Sequence, residues 1–288
     1  MTARAKGILA ILASAFGFAL MAAFVRLCDD YGGPVSSFQK SLFRNLVALV
    51  IAGVVLARGE GGMKAAFPRL PGKAWALVLT RSVAGCIGIF GNFYALSRIP
   101  VGEAMALNKT APIFAVALSW VFLRERVRLH QALCLVAAFV GVLLVMKPGF
   151  RGAETFATLC ALTGGLGAGI AYTCVRELGV MRVDGSFIVF FFSAFSCVAS
   201  LPFMAAGVDP MTWRQFLIML GAGCGAAIGQ FGVTAAYRFA PPREVAVYDY
   251  SNVVFTAALG YLFFSQTPDL LSVVGFLMIA FSAFRAAH

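Results

Sequence analysis

A chain of 288 residues with 61% hydrophobic and only 12% charged residues cannot cover a water-facing surface, which takes about 25% charged residues. With a mean hydropathy of +0.89, this excludes soluble, disordered, fibrous and disulfide-scaffold classes and leaves an all-α integral membrane protein. The net charge of +11 is read as membrane topology, not as a nucleic-acid surface.

A helix needs about 20 apolar residues to cross the hydrocarbon core. Ten stretches meet that length, near 7–27, 36–57, 74–97, 102–123, 128–147, 154–175, 186–206, 214–238, 243–264 and 268–286. The first follows Arg4 and Lys6 and is too long for a signal-peptide core. Arg98-Ile99-Pro100-Val101 and Phe239-Ala240-Pro241-Pro242 are tight breaks, since proline cannot continue the preceding helix. No loop is long enough for a soluble domain. With a cytoplasmic N-terminus, fourteen of the 23 Lys and Arg fall in inside segments and four (Arg98, Lys147, Arg151, Arg214) in outside ones. The positive-inside rule therefore places both termini in the cytoplasm of a multi-pass protein of the cytoplasmic membrane. The seven cysteines form no metal-spaced pair and there are only two histidines, so no metal or other cofactor is expected.

Comparing the chain with itself reveals a repeat. At a shift of 141 residues, Gly88-Ile89-Phe90-Gly91 meets Gly229-Gln230-Phe231-Gly232, and Ala95, Pro100 and Glu103 meet Ala236, Pro241 and Glu244. At a shift of 150, Leu12, Gly17, Val25 and Arg26 meet Leu162, Gly167, Val175 and Arg176. The halves are 1–150 and 151–288, with five spans each. An odd number inverts the second half in the membrane, which is a mark of secondary transporters.

The stretch Ala104–Glu125, AMALNKTAPIFAVALSWVFLRE, with the following Gln131 and Gly141, resembles the end of an EamA repeat. The whole chain resembles a ten-helix member of the drug/metabolite transporter superfamily, nearest to bacterial amino-acid exporters of the aromatic subgroup. The second half departs from the pattern, with Val253 in place of Pro112 and Gln266 in place of Glu125. The resemblance implies two inverted five-helix repeats around a central cavity lined by spans 1, 3, 4, 6, 8 and 9.

Ionisable side chains at membrane depth are costly and mark function. At 1.5 Å per residue, Lys40 and Arg44 lie roughly 6 and 12 Å below the outer edge and Lys109 roughly 10 Å below it. Arg81 and Asp249 each lie roughly 10 Å from the inner edge, which pairs them as a structural ion pair or makes Asp249 a gate or ammonium site. Lys40 snorkels outward. Arg44 is too deep for that and faces inward. Lys109, between Asn108 and Pro112, lines the cavity or pairs structurally. Arg81, Gly85, Gly88 and Asn92 share one face of span 3. The glycines of spans 3 and 8 (Gly88, Gly91, Gly229, Gly232) pack closely or leave room for a ligand, and with Pro112 they are the candidate hinges. The glycine-dense span 6 is expected to bend. Tyr94, Tyr172, Tyr248 and Tyr250 are candidates to stack on a substrate, and Trp75 and Trp213 are assigned to the interfacial belt. The candidate substrate set is Arg44, Arg81, Asn92, Tyr94, Asn108, Lys109, Gln230, Asp249 and Tyr250.

This set offers cations for a carboxylate and an acid for an ammonium. The expected function is a secondary transporter that exports small metabolites, most of all amino acids, by alternating access. A multidrug antiporter or a carrier of nucleotides or sugars is the alternative, although spans of lipophilic-cation antiporters want an early acid and residues 7–27 contain none. An intramembrane enzyme would need paired acids, a metal cluster or a Ser/His set, and the spans supply one deep acid. Expected partners are the small-molecule substrate and the lipid bilayer, with no nucleic acid.

Overall fold

The first apolar run starts behind Thr2, whose hydroxyl accepts from the Ala5 N–H at 3.2 Å and caps helix α1 (Ala3–Asp30). Ser36 does the same for α2 (Ser37–Arg58), and Thr212 with Gln215 forms a capping box on α9 (Trp213–Phe239). The other helices are α3 (Gly72–Leu96), α4 (Val101–Asn108), α5 (Ala111–Phe122), α6 (Leu129–Met146), α7 (Thr155–Val180), α8 (Gly185–Met204), α10 (Pro242–Asp249), α11 (Ser251–Phe264) and α12 (Leu270–Ala287). This computed structural model describes all residues except 34, 60–68, 97, 150–153, 205–206 and 288. The predicted boundary between the halves at 150/151, and the cations Lys64 and Arg151, lie outside the described residues.

Eight stretches among the described residues are long and apolar enough to cross a membrane. The broken helix α10/α11 and the shorter α12 complete the ten predicted crossings. Predicted spans 4 and 9 are each split, at Lys109–Thr110 and at Tyr250. Gly72, Val101 and Leu129, which start α3, α4 and α6, stand 141 residues before Trp213, Pro242 and Leu270, which start α9, α10 and α12. The repeat seen as scattered identities is thus a repeat of helix boundaries.

The packing follows the same exchange of halves. α1 lies along α9 and α3 along α7; α6 pairs with α12 and α2 with α8. Glycine permits the first two approaches. A Cβ on Gly17 would stand 2.7 Å from the Gly229 backbone nitrogen, and one on Gly88 would stand 3.1 Å from the Gly164 carbonyl oxygen. Gly164, Gly165, Gly167 and Gly169 of α7 abut α3 and the α4/α5 break, and α7 runs as one helix of 26 residues. These glycines serve close backbone contact with the neighbouring helices.

Loops of like parity meet at the same end of the bundle. At one end, Lys73 bonds Glu177 at 2.6 Å and Arg176 bonds Glu125 at 2.8 Å. At the other, Arg98 lies 3.9 Å from Glu154, Lys147 pairs with Asp269, and Asp209 accepts from the Ser36 N–H at 2.7 Å. Large exposed apolar side chains such as Trp120, Phe122, Leu277 and Phe281 face outward, as lipid contact requires. Trp213 is among them, but Trp75 turns inward, edge-on to Phe187 and Phe191. Trp75 sits one turn into α3, where α8 partly covers it.

Candidate functional site

Two helix breaks and four long helices bring the polar interior together. Arg81 of α3 is 4% exposed. Its guanidinium carbon lies over the Phe192 ring of α8, 3.6 Å from the centroid. Nη2 donates to Gln230 Oε1 on α9 at 3.4 Å, while Nε and Nη1 have no acceptor among the described residues. With the ring beneath it, the guanidinium keeps Nε and Nη1 available to a further acceptor.

Arg44 of α2 is half-buried and its Nε has no acceptor among the described residues. It lies within electrostatic reach of Arg81, Tyr172 and Cys86. Cys86 in turn meets the Ser196 hydroxyl at 3.1 Å. No carboxylate of a described residue pairs with either arginine.

The second cluster is built on the breaks. Lys109 ends the α4 turn, and its Nζ donates to Asn252 Oδ1 at 2.6 Å. Asn252 opens α11 and donates from Nδ2 to the Ala15 carbonyl of α1 at 2.9 Å. Asp249, the last residue of α10, is 7% exposed, and its carboxylate accepts no hydrogen bond from a described residue. The Lys109 ammonium and the rings of Tyr172, Tyr237 and Tyr250 lie within electrostatic reach of its carboxylate. Tyr172 stacks on Tyr237 with centroids 4.7 Å apart. Since Tyr172 is also within reach of Arg44 and Arg81, it connects the two clusters. Tyr250 is fully buried, with its hydroxyl lacking a partner among the described residues.

The expected Arg81–Asp249 pair does not form. Arg81 turns to Gln230 and Phe192, and the cation facing Asp249 is Lys109. Depth along a helix fixes the height of a side chain but not its direction around the axis, and here the two differ.

Asn92 and Asn108 meet elsewhere, over Gly164 of α7, and the Asn92 Oδ1 is buried without a partner among the described residues. Tyr94 packs edge-on to Phe156 and beneath Arg98, with ring centroids 5.5 Å apart in the first contact. Thirteen residues of α3 separate it from Arg81, about 20 Å along the axis, so it stands apart from the arginine cluster. Tyr248 is buried at the far side of α10 in the main apolar core.

Pro112 lies in the first turn of α5, immediately after the break. α3 and α9 continue unbroken through Gly88, Gly91, Gly229 and Gly232, where the missing side chains admit Gly164, Cys160, Phe18 and Ala10. Interruption of the backbone lies instead at Lys109–Thr110 and Tyr250. The resemblance places six spans around the site, but α2 and α8 also contribute, through Arg44 and Phe192. Sequence reasoning missed Phe192, Tyr237 and Asn252. Asn252 carried a signal, being the one amide within a turn of Asp249, whereas Phe192 is one of 28 phenylalanines.

A cavity of about 530 Å³ lies away from these clusters, at one end of the bundle, lined by Arg4, Arg126, Arg128, His130, Arg243 and Glu244 among others.

Comparison with known proteins agrees with this architecture. The pseudopaline exporter CntI of Pseudomonas aeruginosa is 29% identical over 274 residues, covering 94% of this chain and 92% of that one. Human solute carrier family 35 member G1 is 27% identical, covering 98% and 78%. A riboflavin transporter of Rhizobium johnstonii is 26% identical over a shorter stretch, 66% and 63%. One solved crystal structure has the same fold, with a TM-score of 0.80 at 18% identity over 95% of this chain and 96% of its own. The EamA-like transporter family matches residues 5–147 and 155–286, one match per predicted half, and the chain belongs to that family of membrane transporters.

Proposed function

We propose that this transporter exports small zwitterionic metabolites, amino acids first among them, across the cytoplasmic membrane by alternating access. The observation that carries the reading is the pairing of two guanidinium groups without a carboxylate partner, Arg44 and Arg81, with a carboxylate that accepts no hydrogen bond, Asp249, in one interior connected through Tyr172. A zwitterion satisfies both: its carboxylate takes N–H groups from the arginine fork and its ammonium goes to Asp249. Gln230, Lys109, Asn252 and Tyr250 complete this site, with Asn92 and Asn108 on the path along α7. The exporter named among the relatives supports the direction. Among the described residues this site sets three cations, Arg44, Arg81 and Lys109, against one acid, Asp249, which disfavours lipophilic cations as cargo.

The halves are assigned as 1–150 and 151–288, in keeping with the two family matches. Both termini are assigned to the cytoplasm. The cation-lined cavity supports this side, since it gathers the N-terminal Arg4, the α5–α6 loop, the start of α10 and the C-terminal Ala286 at one end. The two breaks, with Pro112 beside the first, are the proposed hinges, while Gly88, Gly91, Gly229 and Gly232 are the surfaces that slide.

The test is counterflow of labelled amino acids in proteoliposomes, with and without a pH gradient. Accumulation above protein-free liposomes that is lost in Asp249→Asn is expected. No accumulation of any amino compound by a folded protein would refute the reading.

A further inference from the structure

The arginine pair specifies more than a zwitterion. Arg44 and Arg81 sit near enough to feel one another's charge, and like charges in a bundle interior repel and are poorly solvated. Three of their N–H groups, Arg44 Nε, Arg81 Nε and Arg81 Nη1, are buried with no acceptor among the described residues. Buried donors of this kind are normally satisfied. The neighbours do not neutralise them: Gln230 and Tyr172 are uncharged, and Cys86 is engaged with Ser196. Among the described residues, the carboxylate within electrostatic reach of this interior, Asp249, faces Lys109.

The charges therefore divide. Lys109 and Asp249 offset each other, and Arg44 and Arg81 remain uncompensated. A neutral amino acid brings one carboxylate and leaves one guanidinium unanswered. Two carboxylates, each taking two parallel N–H bonds from a planar fork, answer both. The Phe192 ring lies beneath the Arg81 guanidinium, whose Nε and Nη1 stay available to an acceptor.

We propose that the preferred substrate is a dicarboxylic amino compound, with one acidic group for each of Arg44 and Arg81 and a protonated amine for Asp249. This rests on the amino-acid reading above and narrows it. It also explains why Arg44 is not near a helix end, where it could reach water. In the empty carrier the guanidinium pair is repelling and undersatisfied, and a dianionic group stabilises the loaded form, which favours movement with cargo over movement without it.

The experiment is counterflow in proteoliposomes with four labelled probes: glutamate, glutamine, alanine and succinate. Glutamate and glutamine differ in one carboxylate at nearly equal size, and succinate keeps two carboxylates without an amine. Glutamate is expected to exchange at least about tenfold faster than glutamine or alanine, as one lost charge-assisted pair implies. Arg44→Gln should bring the glutamate-to-glutamine ratio close to one, and Arg44→Lys should retain part of it. Thermal unfolding in detergent shows whether each variant is folded, and the charge-retaining Lys variant keeps the test open if the Gln variant is not. Equal rates for glutamate and glutamine would overturn the dicarboxylate proposal and leave amino-acid transport standing. Exchange of succinate at the rate of glutamate would overturn the amine part of both readings. No exchange of any probe by folded protein would overturn both.

Discussion

The two broken helices occupy the same register of the repeat and do different chemistry. α4 ends at Asn108 and α10 at Asp249, 141 residues later. In the first half a proline follows the break, and the Thr110 hydroxyl folds back on the Leu107 carbonyl at 2.5 Å. The second half has Val253 where the first has Pro112 and breaks all the same, with Val253 N–H bonded to the Tyr250 carbonyl at 3.0 Å. There the fully buried Tyr250 ring and the Asn252 bond to the Ala15 carbonyl hold the chain out of register. The backbone interruption is thus common to both halves and does not depend on proline. The charges are what differ: the first break carries Lys109, the second Asp249. A pseudo-symmetric frame with one charge of each sign at matching breaks gives an asymmetric site, and polar backbone at membrane depth is tolerated only where it lines such an interior.

The sharpest way to break this comparison is to remove one charge. Lys109→Met leaves Asp249 as an uncompensated buried carboxylate and is expected to cost ~3–5 kcal/mol, seen as lost folding yield or a lower unfolding temperature in detergent. Asp249→Asn alone should cost less in stability, because Lys109 keeps its bond to Asn252, but should abolish transport. The double variant Lys109→Met/Asp249→Asn should recover part of the stability lost in Lys109→Met. The pair Arg81→Gln and Asp249→Asn, by contrast, should be additive within about 0.5 kcal/mol. Non-additivity there, with additivity for Lys109 and Asp249, would reverse the assignment of partners.

The seam glycines compare the halves at a second level. A Cβ at Gly17 would strike the α9 backbone at 2.7 Å and one at Gly88 would meet the Gly164 carbonyl at 3.1 Å. Gly17→Ala is therefore expected to destabilise by ~1–3 kcal/mol as an overpacked contact, and Gly88→Ala by less. Unfolding temperatures in the same detergent check the order, and an inverted order would mean that the two seams do not share one geometry.

The spans and the repeat were legible because each rests on a local signal: apolar runs of crossing length, and residues recurring at one shift. The break at Lys109 was foreshadowed by Pro112, while the one at Tyr250 had no breaker to announce it. Charge partners were not legible. Successive helix residues turn by about 100°, so Arg81 and Asp249 can share a depth and face different neighbours. Aromatic character likewise says nothing of height, and the position of Tyr94 near the end of α3 puts it beside Arg98. The contacts of the α7 glycines were not legible either, because composition does not say which neighbouring helices such glycines face.

Pro112 itself should matter less than its place suggests. Since α10/α11 breaks without proline, Pro112→Ala is expected to leave the break in place and change the unfolding temperature little, by the equivalent of ~1 kcal/mol or less. Transport should fall by less than about threefold. A large loss of transport at unchanged stability would show that the proline, and not the packing around Thr110, sets the hinge.

The smallest effect is expected where the halves meet outside the membrane. Asp269 precedes α12 and accepts from the Ser272 N–H at 3.1 Å, capping that helix, while also pairing with Lys147 at the end of α6. Arg128, 141 residues earlier, precedes α6, and there the cap is supplied by Gln131, which accepts from the Arg128 N–H at 3.1 Å. The Lys147 ammonium, with help from Ser272, holds the Asp269 carboxyl down to about 2, below its ordinary value of 3.8. A depressed carboxyl contributes stability above its unfolded value and loses it as pH falls through the folded one, so the contact stays intact across any pH at which transport is assayed and weakens only between about 4 and 2. Both side chains are about half exposed, and water and salt screen the pair. Asp269→Asn should therefore lower the unfolding temperature less than any variant above and should leave the glutamate-to-glutamine ratio unchanged. A drop in stability that persists in 1 M salt would assign the role of Asp269 to the helix cap, whereas one that salt removes would assign it to Lys147.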